Sequence, residues 1–213
     1  MNTRGYLERC HLSEARNNSL HALNPCALRV EGCNFSKAGK HGICCEWLAR
    51  SSHTSVCRRL SIEACDFTLS GSASINIQPS HRGNMKIFAH NVIVEILNNK
   101  VNRSKGEGLT VINLILTMLR IKGNEFNLNQ LHNLYLKQVH QKSNKCASAT
   151  TTYLGVFDNR FWQSERGAGA YVVDSGFLFE SCHFRSNKLG GLVITGTSTL
   201  SSSMTQQTKG GLT

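Results

Sequence analysis

"LRVEGCNF" at residues 28–35 sets Cys33 two places before Phe35, and "LSIEACDF" at 60–67 sets Cys65 two places before Phe67. "LRIKGNEF" at 119–126 keeps the apolar positions and puts Asn124 where the cysteine stood. Read outward from these three stretches, the phrase apolar-x-x-Cys/Asn-x-apolar occurs seven times. Its last apolar residue, the anchor, is Leu12, Phe35, Phe67, Val101, Phe126, Phe161 and Phe184. Two residues earlier stand Cys10, Cys33, Cys65, Asn99, Asn124, Asn159 and Cys182, and five earlier stand Leu7, Val30, Ile62, Ile96, Ile121, Val156 and Phe179.

A second apolar pair follows each anchor at eight and ten residues: Leu20 and Ala22, Ile43 and Cys45, Ile75 and Ile77, Leu109 and Val111, Leu134 and Leu136, Leu192 and Ile194. Inward residues at i and i+2 mark a short strand. The Phe161 unit departs from this register, and "GAGAYVV" supplies its strand, so a bulge or insertion is expected there. Anchor spacings of 23, 32, 34, 25, 35 and 23 residues exclude a constant-length helical repeat. Variable loops on a constant strand frame predict an all-β chain: a parallel β-helix of about seven coils with a Cys/Asn ladder at one bend. Asparagine amides can hydrogen-bond along such a stack, and cysteine fills the same small site as a weakly polar hydrophobe. Asn99, Asn124 and Asn159 should form one segment of the ladder, next to Cys10, Cys33 and Cys65.

Composition agrees. Of 213 residues, 40% are apolar, 17% are charged and two are proline, a turn-rich balance that favours β structure. The net charge of +11 should attract an acidic protein face, an acidic glycan or nucleic acid. Sparse aromatics without a basic–aromatic strip disfavour nucleic acid. The N-terminus lacks the apolar core of a secretory signal and "VINLILTML" at 111–119 is too short to span a bilayer, so the expected location is intracellular, with no membrane partner. Nine cysteines without an export signal do not suggest a disulfide framework.

"VEILNNKVNRSKGEGLTV" at 94–111 and "LFESCHFRSNKLGGLVIT" at 178–195 resemble the coil of the pectin-lyase-like superfamily, and the resemblance covers about residues 5–195. It implies a right-handed coil, in line with the handedness of parallel crossovers, and no single activity. The domain expected is 1–195, followed by a flexible Ser/Thr/Gly-rich tail at 196–213. The first repeat starts almost at Met1, which predicts a missing N-terminal cap and therefore end-to-end association or a larger parent chain.

Glycan-cleaving β-helix enzymes need clustered carboxylates, and the chain has only Asp66, Asp158 and Asp174 among its aspartates. Asp66 lies one residue before an anchor and Asp158 three before, so they cannot stack. Arg120–Lys122 resembles the basic tripeptide of polygalacturonases and His41–Gly42 their histidine motif, but the paired aspartates have no match. Arg120 and Lys122 should point outward around an inward Ile121. The glutamate column Glu8, Glu31, Glu63 and Glu180 reads as a solvated face offset by Arg9, Arg29 and Lys37. Cys44, His53 and Cys57 lack the paired spacing of a zinc finger or ribbon, so no metal and no cofactor is expected.

The turns after the anchors are basic: Arg16, Lys37 with Lys40 and His41, Arg103 with Lys105, Arg166, and Arg185 with Lys188. Stacked coils would bring them to one edge. The function expected is a non-catalytic recognition scaffold binding an acidic protein or glycan through that edge, not an enzyme. Similar repeats occur in F-box substrate adaptors and in SHC-binding, spindle-associated proteins, which implies protein interaction; no F-box-like helical segment is present. The rival is a polysaccharide lyase, a glycoside hydrolase or a degenerate carbohydrate-binding relative. It would need carboxylates from the insertions 46–59, 78–93 and 137–152, which hold one acid, Glu46.

Overall fold

Each repeat phrase folds as two strands joined by a sharp corner, and the pair eight and ten residues after the anchor lies on a third strand. The computed structural model describes residues 4–47, 58–80, 92–141 and 154–203, with side chains to 198. Three parallel sheets run along the coil axis. The first has eight strands, from Arg4–Glu8 through Ala27–Glu31, Arg58–Glu63, Val92–Leu97, Met118–Lys122, Leu154–Phe157 and Gly176–Glu180 to Thr199–Ser203. The second has seven three-residue strands, from His11–Ser13 to Arg185, each centred on an anchor. The third has seven, from Leu20–Leu23 to Leu192–Thr195. No helix occurs among the described residues, and the chain is a parallel β-helix of seven coils.

Pairing follows the sequence columns: Val30 aligns with Leu7 and Ile62, Phe35 with Leu12 and Phe67, and Ile43 with Leu20 and Ile75. Inward side chains therefore stack on their own kind. Phe35 and Phe67 lie 4.8 Å apart, Phe126 and Phe161 5.2 Å, and Phe161 and Phe184 5.1 Å, all with nearly parallel rings; Val101 interrupts the column. In the first coil Leu7, Leu12, Leu20 and Ala22 are only partly buried, whereas Val30, Phe35, Ile43 and Cys45 of the second are buried.

Two left-handed residues make the coil compact. The residue three before each anchor has positive φ, from Arg9, Gly32 and Ala64 to Asn98, Gly123, Asp158 and Ser181. So does the residue two after it: Glu14, Lys37, Leu69, Arg103, Leu128, Gln163 and Ser186. A left-handed residue turns the chain within one step, and its N–H still reaches the next coil, as Ala64 N–H does to the Leu97 carbonyl at 3.0 Å.

The ladder fills the first corner. Asn99 N–H and Nδ2 donate to Asn124 Oδ1 at 2.9 and 3.0 Å, and Asn124 N–H and Nδ2 donate to Asn159 Oδ1, both at 2.9 Å. Cys65 N–H donates to Asn99 Oδ1 at 2.9 Å, while Cys33 N–H reaches Cys65 Sγ, and Cys10 N–H reaches Cys33 Sγ, at 3.4 Å each. A second polar column, three residues after the anchor, runs parallel to it. Ser104 N–H donates to Asn129 Oδ1 at 3.0 Å and Ser164 N–H to Asn187 Oδ1 at 3.1 Å. Ser74 Oγ lies 2.6 Å from Ser104 Oγ.

In the Phe161 unit, Ala170 and Val172 pair with Leu134 and Leu136, so the strand sits one residue late. The extra residue falls in the turn at Arg166–Gly167, where a Cβ on Gly167 would lie 2.5 Å from the Leu131 carbonyl carbon. Beyond Thr195, Thr199–Ser203 pairs with Gly176–Glu180 in the first sheet, so strand pairing continues eight residues past the boundary at 195; residues 204–213 lie outside the described ones. The long insertions all enter between the third sheet and the first, and 48–57, 81–91 and 142–153 lie outside the described residues.

Candidate functional site

The five basic turns, those of coils one, two, four, six and seven, occupy the corner between the second and third sheets. Lys37, Lys40, Arg103, Lys105, Arg166, Arg185 and Lys188 are exposed there, and His41 is half-buried. They do not form one continuous column. Lys37 and Arg103 stand two residues after an anchor, Lys105 and Lys188 four, Lys40 and Arg166 five, and Arg185 one. The corner is therefore a band of cations.

Within that band the two ends differ. Lys37 Nζ is 2.8 Å from Glu14 Oε1, and its pKa is raised by that hydrogen bond and charge. His41 Nδ1 faces the Ala73 carbonyl at 2.9 Å, and burial lowers its pKa. In coils four to seven, Arg103, Lys105, Arg166, Arg185 and Lys188 form no ion pair among the described residues. The turns carrying them, 102–107, 162–168 and 185–190, hold only Glu107 and Glu165 as acids, and the intervening turn 127–132 of coil five holds neither an acid nor a Lys or Arg. Next to these cations, Trp162 aligns with Arg185, and the Arg160 guanidinium lies 5.7 Å from the Trp162 ring centre.

The outer face of the third sheet was not singled out in sequence, although the signal was there. The residue between each inward pair gives the column His21, Cys44, Asn76, Thr110, Tyr135, Tyr171 and Val193. Toward its far end His132 lies 4.5 Å from Tyr171 and 5.7 Å from Tyr135, ring to ring, and its Nδ1 accepts from Ala168 N–H at 3.0 Å. Burial lowers the His132 pKa and raises those of Glu107 and Tyr135, with Glu107 adding to the shift of Tyr135. At its near end His21, Cys44 and Glu46 have ligand-type atoms within 4.8 Å of one another. Of the Cys44, His53 and Cys57 set, only Cys44 lies among the described residues.

On the outer face of the first sheet, Glu8, Glu31 and Glu63 stack in register. Arg29 pairs with Glu31 at 2.7 Å and Arg9 with Glu8 at 3.8 Å, while Lys37 turns to Glu14 instead. A groove of about 460 Å³ over this face is lined by Arg29, Arg59, Glu63 and Glu95, with Arg59 Nε 3.0 Å from Glu95. Arg120 is exposed around a buried Ile121, and Lys122 Nζ lies 3.4 Å from Asp158. Asp66 opens a strand of the second sheet in coil three, whereas Asp158 is a left-handed residue at the first corner of coil six, so the two make no pair.

No family model matches the chain, and neither a curated protein nor a solved structure is similar to it. No helix among the described residues is long and apolar enough to cross a membrane. The class that fold and surface define is a parallel β-helix bearing a cationic corner.

Proposed function

We propose that this β-helix is a non-catalytic recognition scaffold, of the intracellular adaptor kind in the pectin-lyase-like superfamily, that binds an acidic protein surface. The observation that carries the reading is the set of exposed cations Arg103, Lys105, Arg166, Arg185 and Lys188, without ion-pair partners among the described residues, along one corner of coils four to seven. A charge already paired contributes little to a partner, while unpaired cations on a rigid frame steer association and fix register. Trp162 and Arg160 beside them add the residue types that dominate protein interfaces. That neighbourhood favours a folded or extended acidic protein over an acidic glycan, which the same cations would also attract.

The test is affinity capture from a cell lysate by the wild-type chain and by a variant with Arg103, Lys105, Arg166 and Lys188 neutralised, alongside a Trp162→Ala variant and a glycan array. Acidic proteins retained by the wild type and lost from both variants support the reading. Retention by the neutralised variant sinks it. Binding to acidic glycans alone, indifferent to Trp162, transfers the corner to a carbohydrate-binding role.

A further inference from the structure

We propose that the outer face of the third sheet carries a zinc site built from His21, Cys44 and Glu46. Parallel pairing places His21 directly above Cys44, and Glu46 two residues along the same strand, so all three side chains project from one face of two adjacent coils. His21 Nε2 lies 3.4 Å from Glu46 Oε2, and Cys44 Sγ lies 3.9 Å from Glu46 Oε1. Zinc bound tetrahedrally at its usual bond lengths holds ligand atoms about 3.3 Å apart for nitrogen and oxygen and about 3.6 Å apart when sulfur is one of the pair. The three donors, all within 4.8 Å of each other, need to close by no more than about 1.2 Å to meet that geometry.

The third coil supports the ligands as outer-sphere groups do in zinc proteins. Asn76 aligns with Cys44 and Gln78 with Glu46. Asn76 Nδ2 points at Cys44 Sγ from 3.7 Å, a donor suited to a thiolate, and Gln78 Nε2 donates to Glu46 Oε1 at 3.0 Å, which leaves Oε2 toward His21. Asn76 is only 5% exposed and Cys44 4%, while the His21 side chain is 50% exposed, so the site has a fixed floor and an open mouth. One thiolate, one imidazole and one carboxylate form a ligand set suited to zinc, and three protein ligands leave one position for water or an anion. Sequence spacing hides the site because His21 and Cys44 are 23 residues apart and meet only through the coil. The inference is independent of the cationic corner.

The test uses the full chain, stripped with a chelator and titrated with cobalt(II) as the zinc probe. The expected result is a thiolate-to-cobalt charge-transfer band with the visible bands of a four-coordinate ion, displaced by zinc. Cys44→Ser and His21→Ala should abolish the band, and His21 is exposed enough that its loss leaves the fold intact. Gln78→Leu should lower affinity roughly 10- to 100-fold, whereas Cys10→Ser should leave it unchanged. Absence of the band in the wild type, or its survival in both Cys44→Ser and His21→Ala, overturns the assignment; the second result places the metal on other thiols.

Discussion

The ladder is built in two materials, asparagine over coils four to six and cysteine over coils one to three and again, as Cys182, in coil seven, and the asparagine stretch and the first cysteine stretch satisfy the same backbone need with different strength. Asn124 accepts from Asn99 N–H and Nδ2 and donates to the carbonyls of Ile96 and Lys122 at 2.8 and 3.1 Å. Cys33 accepts one N–H at 3.4 Å and donates to the Glu31 carbonyl at 3.3 Å. Sulfur is a weak partner in both directions. What the site requires is a small group that accepts from the next coil; what asparagine adds is a connected chain of amides.

The sharpest way to break this comparison is to empty one rung in each half. Asn124→Ala leaves Asn99 N–H and the Ile96 carbonyl buried without their side-chain partner, and at about 1–3 kcal/mol per unsatisfied group it should cost on the order of 3–5 kcal/mol in urea unfolding. Cys33→Ala removes a weak acceptor and a small buried volume and should cost about 1 kcal/mol. Equal losses would show that the column is held by shape alone.

Converting a rung sharpens it. Cys65 already donates its N–H to Asn99 Oδ1, so Cys65→Asn extends the amide chain by one coil and should raise stability by about 1 kcal/mol. The same variant changes the alkaline limb. Burial, the largest cause, pushes the Cys65 thiol from 9.0 up to about 11, and the folded chain therefore holds that proton more tightly than the unfolded one. Its contribution is intact below pH 9.0 and is lost as pH rises toward about 11. Unfolding curves of wild type and Cys65→Asn should diverge across that window, with the wild type falling faster. Parallel curves would mean that the thiol titrates alike in both states.

Most of the frame was legible because a solenoid turns sequence columns into spatial ones: the anchors, the Cys/Asn column and the inward pairs all stack as spaced. What escaped has a common cause. The second polar column mixes Ala15, Ala38, Ser70, Ser104, Asn129, Ser164 and Asn187, so no single residue type marks it. The His21–Cys44–Glu46 cluster mixes outward positions of two coils that only pairing register relates. The basic turns were legible as charge, but whether each cation was free or tied to an acid, as Lys37 is to Glu14, depended on side-chain reach across coils.

The first corner offers the finest test, because one backbone conformation is met there by unlike residues. Gly32 and Gly123 adopt φ of 60° and 69° without a Cβ, and Asn98 and Asp158 tolerate 56° and 54°. Ala64 holds 51° with nothing to offset its Cβ. Gly123→Ala should be the costlier change at this corner, since its new Cβ would meet Asn98 Oδ1 at 2.3 Å. Ala64→Gly relieves the strain of the left-handed Cβ, roughly 1–2 kcal/mol, but frees the unfolded chain by about 0.4–1 kcal/mol. The net expectation is a gain of about 0.5 kcal/mol in thermal or urea unfolding. A loss would mean that Ala64 is held in the cysteine half of the ladder by packing rather than tolerated there, and the looser half would then owe its order to the corner instead of the rung.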